Sequence, residues 1–130
     1  MLDENEIKKF FKQDKLAKYL GIELVDVLDD GVIAKLDIQD EHLNSIGTVH
    51  GGTIFTLADF TFAVAASIQG KISVAFNVNI SFMKAATNGT LTARAKKISL
   101  NPKIGSYTVN VYDNKGDIIA IFQGMAYIKK

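Results

Sequence analysis

Cysteine and tryptophan are absent from this chain of 130 residues, and there is a single proline, Pro102. Without cysteine there can be no disulfide, no thiolate metal site and no cysteine nucleophile. Only His42 and His50 could act as imidazole ligands. A zinc centre would need carboxylates to complete it, so metal catalysis is not expected. With one proline and no Ser- or Gly-rich tract, no internal linker is apparent, and one domain over residues 1–130 is expected. Charge of one sign is also lacking: 15 Lys and Arg against 14 Asp and Glu leave a net +1, not the basic surplus of a nucleic-acid binder. The longest apolar stretch, Phe60 to Ile68, is interrupted by Thr61 and Ser67 and falls far short of the ~20 residues of a membrane span. The opening Met-Leu-Asp-Glu-Asn-Glu is acidic and has no apolar leader core. The expectation is a cytoplasmic protein with neither nucleic acid nor membrane as partner.

What is present is an ordinary globular composition, 48% hydrophobic and 22% charged. The pattern predicts a helix, two strands, a long helix and four more strands. The first helix runs from about Glu4 to Leu20, with Ile7, Phe10, Phe11 and Ala17 near one face. Asp3 is its N-cap, Glu6 the acidic third position, and Gly21 its stop. Ile22 to Leu28 and Val32 to Ile38 form a hairpin around Asp29-Asp30-Gly31. Gly51 to about Gln69 is apolar on every side of the helical wheel, the pattern of a buried helix. Strands follow near Ser73–Met83, Thr90–Leu100, Gly105–Asp113 and Asp117–Lys129, joined by Asn88-Gly89, Asn101-Pro102 and Asp113-Asn114-Lys115-Gly116. Such an order implies an α+β architecture, an antiparallel sheet wrapped around one central helix.

Asp59 stands out because it lies in the middle of the apolar helix. Burying a carboxylate costs several kcal/mol unless it is paired or neutral, so Asp59 either faces a solvent gap or marks a functional site. His50-Gly51-Gly52 opens the same helix. Its unshielded N–H groups and the helix dipole could hold a developing oxyanion, although a tight turn would use the same glycines. Asn44 precedes this turn and fits ordinary loop chemistry. His42 reads as a surface loop residue. Lys84, Arg94, Lys96, Lys97 and Lys103 read as a solvated sheet face, with one or two of them available to ligand phosphates.

The run His42-Leu43-Asn44-Ser45-Ile46-Gly47-Thr48-Val49-His50-Gly51-Gly52-Thr53-Ile54-Phe55-Thr56-Leu57-Ala58-Asp59 resembles the signature of hotdog-fold acyl-CoA thioesterases of the PaaI-like type. The element order fits that fold over nearly the whole chain. The resemblance implies hydrolysis of an acyl-CoA thioester without a metal or organic cofactor. It also implies that Asp59 is the nucleophile or general base, that the Gly51 amide polarises the carbonyl, and that Asn44 and His50 orient substrate or water. Gly52, Asn77, Asn79, Phe82 and Lys84 are the candidate substrate contacts. Some relatives carry a catalytic hydroxyl on the strand after the helix. The aligned position here is Ala75, and Asn77 and Asn79, on its strand face by period 2, could compensate.

Gly51 and Asp59 are eight residues apart, ~12 Å along one helix, too far to serve one reacting carbonyl. Two antiparallel copies could set Gly51 of one beside Asp59 of the other. The expectation is an obligate homodimer with shared sites, in keeping with the dimers and tetramers of the family it resembles, and a homotetramer is the fuller expectation. Two other readings compete: a hotdog hydroxyacyl-thioester dehydratase, and an acyl-CoA-binding or regulatory module that needs no base. Phe55, Phe60, Phe62, Phe76, Phe82, Met83 and Tyr107 are either an acyl pocket or plain core. Aromatic, short-chain and medium-chain acyl groups all remain open.

Overall fold

The computed structural model describes residues 2–29 and 31–129. Met1, Lys130 and Asp30 of the expected hairpin turn lie outside the described residues. The N-terminal region is two helices rather than one, α1 (Glu4–Phe11) and α2 (Lys15–Leu20). Asp3 caps α1 as expected, its Oδ1 accepting from the Glu6 N–H at 2.8 Å. The break comes from a second cap: Asp14 Oδ1 accepts from the Ala17 N–H at 3.0 Å and starts a new helix. Of the expected apolar face, Ile7 and Ala17 are buried, Phe11 is half-buried and Phe10 is exposed. Gly21 ends α2 at φ +85°, a conformation that favours glycine.

Strands β1 (Ile22–Leu28) and β2 (Gly31–Asp37) form the expected hairpin, one residue out of phase at β2. The central helix α3 spans Gly51–Ala66, three residues shorter than expected, and closes on Ser67. Strands β3 (Ser73–Phe82), β4 (Thr90–Leu100), β5 (Ile104–Tyr112) and β6 (Ile118–Ile128) complete the elements. Among the described residues six strands form one antiparallel sheet in the order β1-β2-β4-β5-β6-β3. Strand β3 therefore skips β4 to pair with β6, which makes β1 and β3 the two edges.

The inward sheet face carries Val32, Ala34, Leu36, Leu91, Ala93, Val109, Val111 and Phe122, all buried against α3. This is the alternation expected of half-buried strands. Phe62 packs on Tyr107 and Phe122, with ring centroids 5.7 and 5.6 Å away. A Cβ at Gly124 would meet the Phe62 ring at 2.8 Å, so only glycine lets this ring lie on the sheet. Phe60, Phe62 and Tyr107 are thus core, while Phe76, Phe82 and Met83 are exposed on the β3 side.

The sheet does not enclose α3 completely. Gly52, Phe55, Thr56, Asp59 and Ala63 form a stripe along the helix that is half-buried or exposed. Their 3- and 4-residue spacing puts them on one face. The helix is apolar around its wheel, but the sheet and the N-terminal helices cover only part of its circumference. Among the described residues no helix is long and apolar enough to cross a membrane.

Candidate active site

The loop before α3 is a closed unit built on Asn44. Its Oδ1 accepts from the Ile46 and Thr48 N–H groups, both at 3.1 Å, and its Nδ2 donates to Thr48 Oγ1 at 2.9 Å. Gly47 turns the chain at φ +83°. Most of the Asn44 amide is therefore spent on the loop, leaving one Nδ2 hydrogen for another acceptor.

His42 is not a surface residue. It is buried at 1% exposure. Its Nδ1 accepts from the Gln39 N–H at 2.9 Å and its Nε2 faces the Leu20 carbonyl at 2.7 Å. Both ring nitrogens are satisfied by backbone in the Nε2–H tautomer, so the ring ties the end of α2 to the loop. The His42 carbonyl then accepts from the His50 N–H at 2.8 Å and fixes the start of α3.

His50 is the N-cap of α3. Its Nδ1 accepts from the Gly52 N–H at 2.8 Å, which assigns the Nε2–H tautomer and leaves that donor exposed. The Thr53 and Ile54 N–H groups bond the His50 carbonyl. Among the described residues the Gly51 N–H has no acceptor in the chain. It is an unspent donor at the positive end of a 16-residue helix. A Cβ at Gly51 would touch the Phe82 ring at 3.3 Å, so Phe82 lies directly against this helix start.

Two turns further, Asp59 sits half-buried on the open stripe. Burial raises its pKa above the usual carboxylate value, and the negative charge of Asp14 adds to the rise. Between Gly52 and Asp59 lies a hydroxyl that the sequence reading did not single out. Thr56 Oγ1 donates to the Gly52 carbonyl at 2.8 Å on the same face. Its place four residues after Gly52 and three before Asp59 was the available signal.

The strand after the helix differs from expectation. A β-bulge at Phe76 shifts the register between Ala75 and Asn77. Ala75 pairs with inward Ala126, whereas Asn77 and Asn79 pair with outward Met125 and Gln123. One extra residue turns the rest of the strand over. Asn77 and Asn79 therefore do not share the face of Ala75. They point away from α3, into an outer-face groove with Ser106, Thr108 and Gln123. Lys84 is bonded to Asp117 at 2.6 Å and Asp113 at 3.0 Å. These bonds raise its pKa and hold the Asp113 carboxyl below its usual value.

One chain thus brings His50, Gly51, Gly52 and Phe82 together at one end of the open stripe and leaves Asp59 ~12 Å along it. A carboxylate with a raised pKa suits base or nucleophile chemistry near neutral pH. A free helix-start amide suits a developing oxyanion.

Residues 46–120 match the family model described as Thioesterase superfamily. An Archaeoglobus fulgidus protein is 36% identical over 118 residues, covering 90% of this chain and 77% of that protein. The Escherichia coli acyl-coenzyme A thioesterase PaaI is 30% identical over 118 residues, covering 90% of this chain and 84% of the enzyme. The solved structure of the E. coli PaaI protein from the phenylacetic acid degradation operon superposes with a TM-score of 0.90 at 28% identity, covering 94% of this chain and 89% of that one.

Proposed function

The chain belongs to the thioesterase superfamily and has the PaaI-like hotdog fold, and from that premise we propose that it hydrolyses acyl-CoA thioesters to a free acid and CoA thiol. The observation that carries this reading is the open stripe of α3. It presents a half-buried carboxylate, Asp59, on the same helix as the Gly51 N–H, which has no acceptor among the described residues.

Water adds to the thioester carbonyl and the C–S bond breaks. The oxygen of water ends in the acid and its hydrogens are shared between acid and thiol. The Gly51 amide donates to the carbonyl oxygen as negative charge gathers there. The exposed Nε2–H of His50 is placed to orient the thioester beside it. Asp59 either takes the proton of the attacking water or attacks the carbonyl itself to form a mixed anhydride that water then opens.

Because ~12 Å of helix separates the two groups, they serve one carbonyl only across two chains. In this reading a homodimer brings Gly51 of one protomer to Asp59 of its partner and holds two shared sites. The uncovered β3 edge supports it, since Val74, Phe76, Phe82 and Met83 are exposed there.

The test is free-thiol release from a panel of acyl-CoAs by wild type and Asp59→Asn. Loss of one oxyanion donor typically costs about 10²–10³ in rate, and loss of the carboxylate should cost at least as much while the variant stays folded by circular dichroism. Equal rates in the two proteins would remove Asp59 from the chemistry. A single turnover in ¹⁸O-water gives a one-way test: label in the Asp59 carboxylate marks a nucleophile whose anhydride is opened at the aspartyl carbon. Water attack on the acyl carbon, with Asp59 as base or as nucleophile, puts label only in the product acid.

A further inference from the structure

The stripe that carries Asp59 continues toward the C-terminal end of α3. Ala63 and Ser67 follow at four-residue intervals and so lie on the same face. There the helix forms the floor of a cleft of about 320 Å³ between α1 and the start of β3. Its walls include Ile7 and Phe10 from α1, Ile72 just before β3, and Leu2. Among the described residues Lys71 is the one charged residue in the lining.

Phe10 and Ile72 are 57% and 69% exposed. Both are held open to this cleft rather than folded into the core. Ala63, one turn beyond Asp59, is half-buried and offers the cleft only a small side chain. Such a volume is that of a small-molecule site.

A larger cleft, about 410 Å³, lies on the other side of α1 and α2. It is a poorer match. Lys8, Lys12, Asp14, Lys18 and Glu23 line it, a charged wall unsuited to an apolar tail, and among the described residues it meets α3 only at Phe60.

Resting on the thioesterase reading, we infer that the cleft over Ala63 and Ser67 receives the acyl tail, and that its shape selects an unbranched aliphatic chain of medium length over an aryl group. Ser67 is eight residues beyond Asp59, roughly 12 Å along the helix axis. An extended chain with C–C bonds of ~1.5 Å advances about 1.25 Å per bond, so about eight to ten carbons reach from the thioester to the end of the cleft. A phenylacetyl group would stop near Ala63 and leave Phe10 and Ile72 uncovered. Each further methylene of a linear chain instead covers apolar surface that is otherwise exposed, worth about fourfold in affinity when fully buried.

The test compares kcat/KM for acetyl-, butyryl-, hexanoyl-, octanoyl- and phenylacetyl-CoA. Alongside it, calorimetry measures binding of the thioethers S-ethyl-CoA and S-octyl-CoA, which cannot be hydrolysed. Wild type should gain with each two-carbon step up to octanoyl and bind S-octyl-CoA more tightly than S-ethyl-CoA. Ala63→Phe, whose ring would occupy the cleft floor, should cut the octanoyl-to-acetyl ratio at least about tenfold and level the two thioethers. Ile72→Ser, at an exposed position, should lower the ratio in the same direction should the Ala63 variant fail to fold. A flat chain-length profile with active enzyme, or phenylacetyl-CoA as the best substrate, overturns the inference and leaves the thioesterase reading standing. With no thiol release from any ester the thioesterase reading falls, and the thioether pair still decides the cleft: equal binding overturns it, and an octyl preference lost in the variants upholds it.

Discussion

The two edges of the sheet are built alike and finished differently. Each edge strand carries one bulge, at Val25 in β1 and at Phe76 in β3. At β1 the open backbone is occupied by side chains of α1. Lys8 Nζ donates to the Val25 carbonyl at 3.4 Å, and Glu4 Oε1 accepts from the Val27 N–H at 3.1 Å. Glu23 and Asp26 add charge to that strand. At β3 no side chain among the described residues takes the outer backbone groups, and the strand from Ser73 to Phe82 carries no charged residue. Proteins normally blunt a free edge with charge or cover. An edge with neither, running beside the open stripe of α3, is the one that the proposed shared-site dimer would cover.

The strongest way to break this comparison is to charge the open edge. Val74→Lys with Phe76→Lys should give a folded monomer by light scattering, with thiol release down about 10²–10³-fold because each Asp59 has lost its oxyanion donor. Val25→Lys, at the matching bulge of β1, should leave both mass and rate unchanged. An active monomer would end the shared-site reading.

Next in size is complementation. Proline is well tolerated at the first helical position and removes the N–H there, so Gly51→Pro deletes the proposed donor while α3 is kept. Gly51→Pro and Asp59→Asn should each be inactive alone. Mixed and refolded together, they should recover roughly a quarter of wild-type activity, since half the dimers are mixed and each holds one intact site.

A smaller effect sharpens the role of Asp59 on the open side. Its folded pKa is raised, chiefly by burial and then by Asp14. The folded state therefore holds the proton more tightly than the unfolded chain. The destabilisation is absent below the unfolded value near 3.9, grows as pH rises toward the folded pKa and is complete above it. Asp59→Asn should be more stable than wild type at neutral pH by denaturant titration, with the gap closing as pH falls to about 3.5. The acid limb of the pH–rate profile should lie above 3.9 as well. Asp14→Asn keeps the cap and removes the charge, so it should lower that limb without unfolding α2.

The smallest effect falls on the covered edge. Asp14→Ala removes the α2 cap and should cost about 1 kcal/mol of stability. Asp14→Asn should cost much less, a difference thermal unfolding can read.

Much of this molecule was legible in its residues. The alternation Val32, Ala34, Leu36 marks β2, and the apolar run after His50-Gly51-Gly52 marks α3. Asp59 was conspicuous as a carboxylate where only apolar residues were expected. Two of the errors share one cause, a local device that overrides periodicity, and the third comes from a contact distant in sequence. Asp14 restarts a helix that the apolar pattern alone would run through. The bulge at Phe76 turns Asn77 and Asn79 to the outer face, because strand period counts residues and a bulge adds one. His42 is buried through bonds to Leu20 and Gln39, one of them 22 residues away in sequence.

By itself the sequence determined the elements, their order and the residues with chemistry to offer. Local propensity and burial pattern act within a few residues of each side chain, and the composition held few competing candidates. Only the tertiary structure decided which face of α3 stays open, that β3 rather than β4 forms an edge, and that a cleft opens over Ala63, one turn beyond Asp59. Those outcomes depend on strands far apart in sequence closing around one helix and running out of sheet to cover its last side.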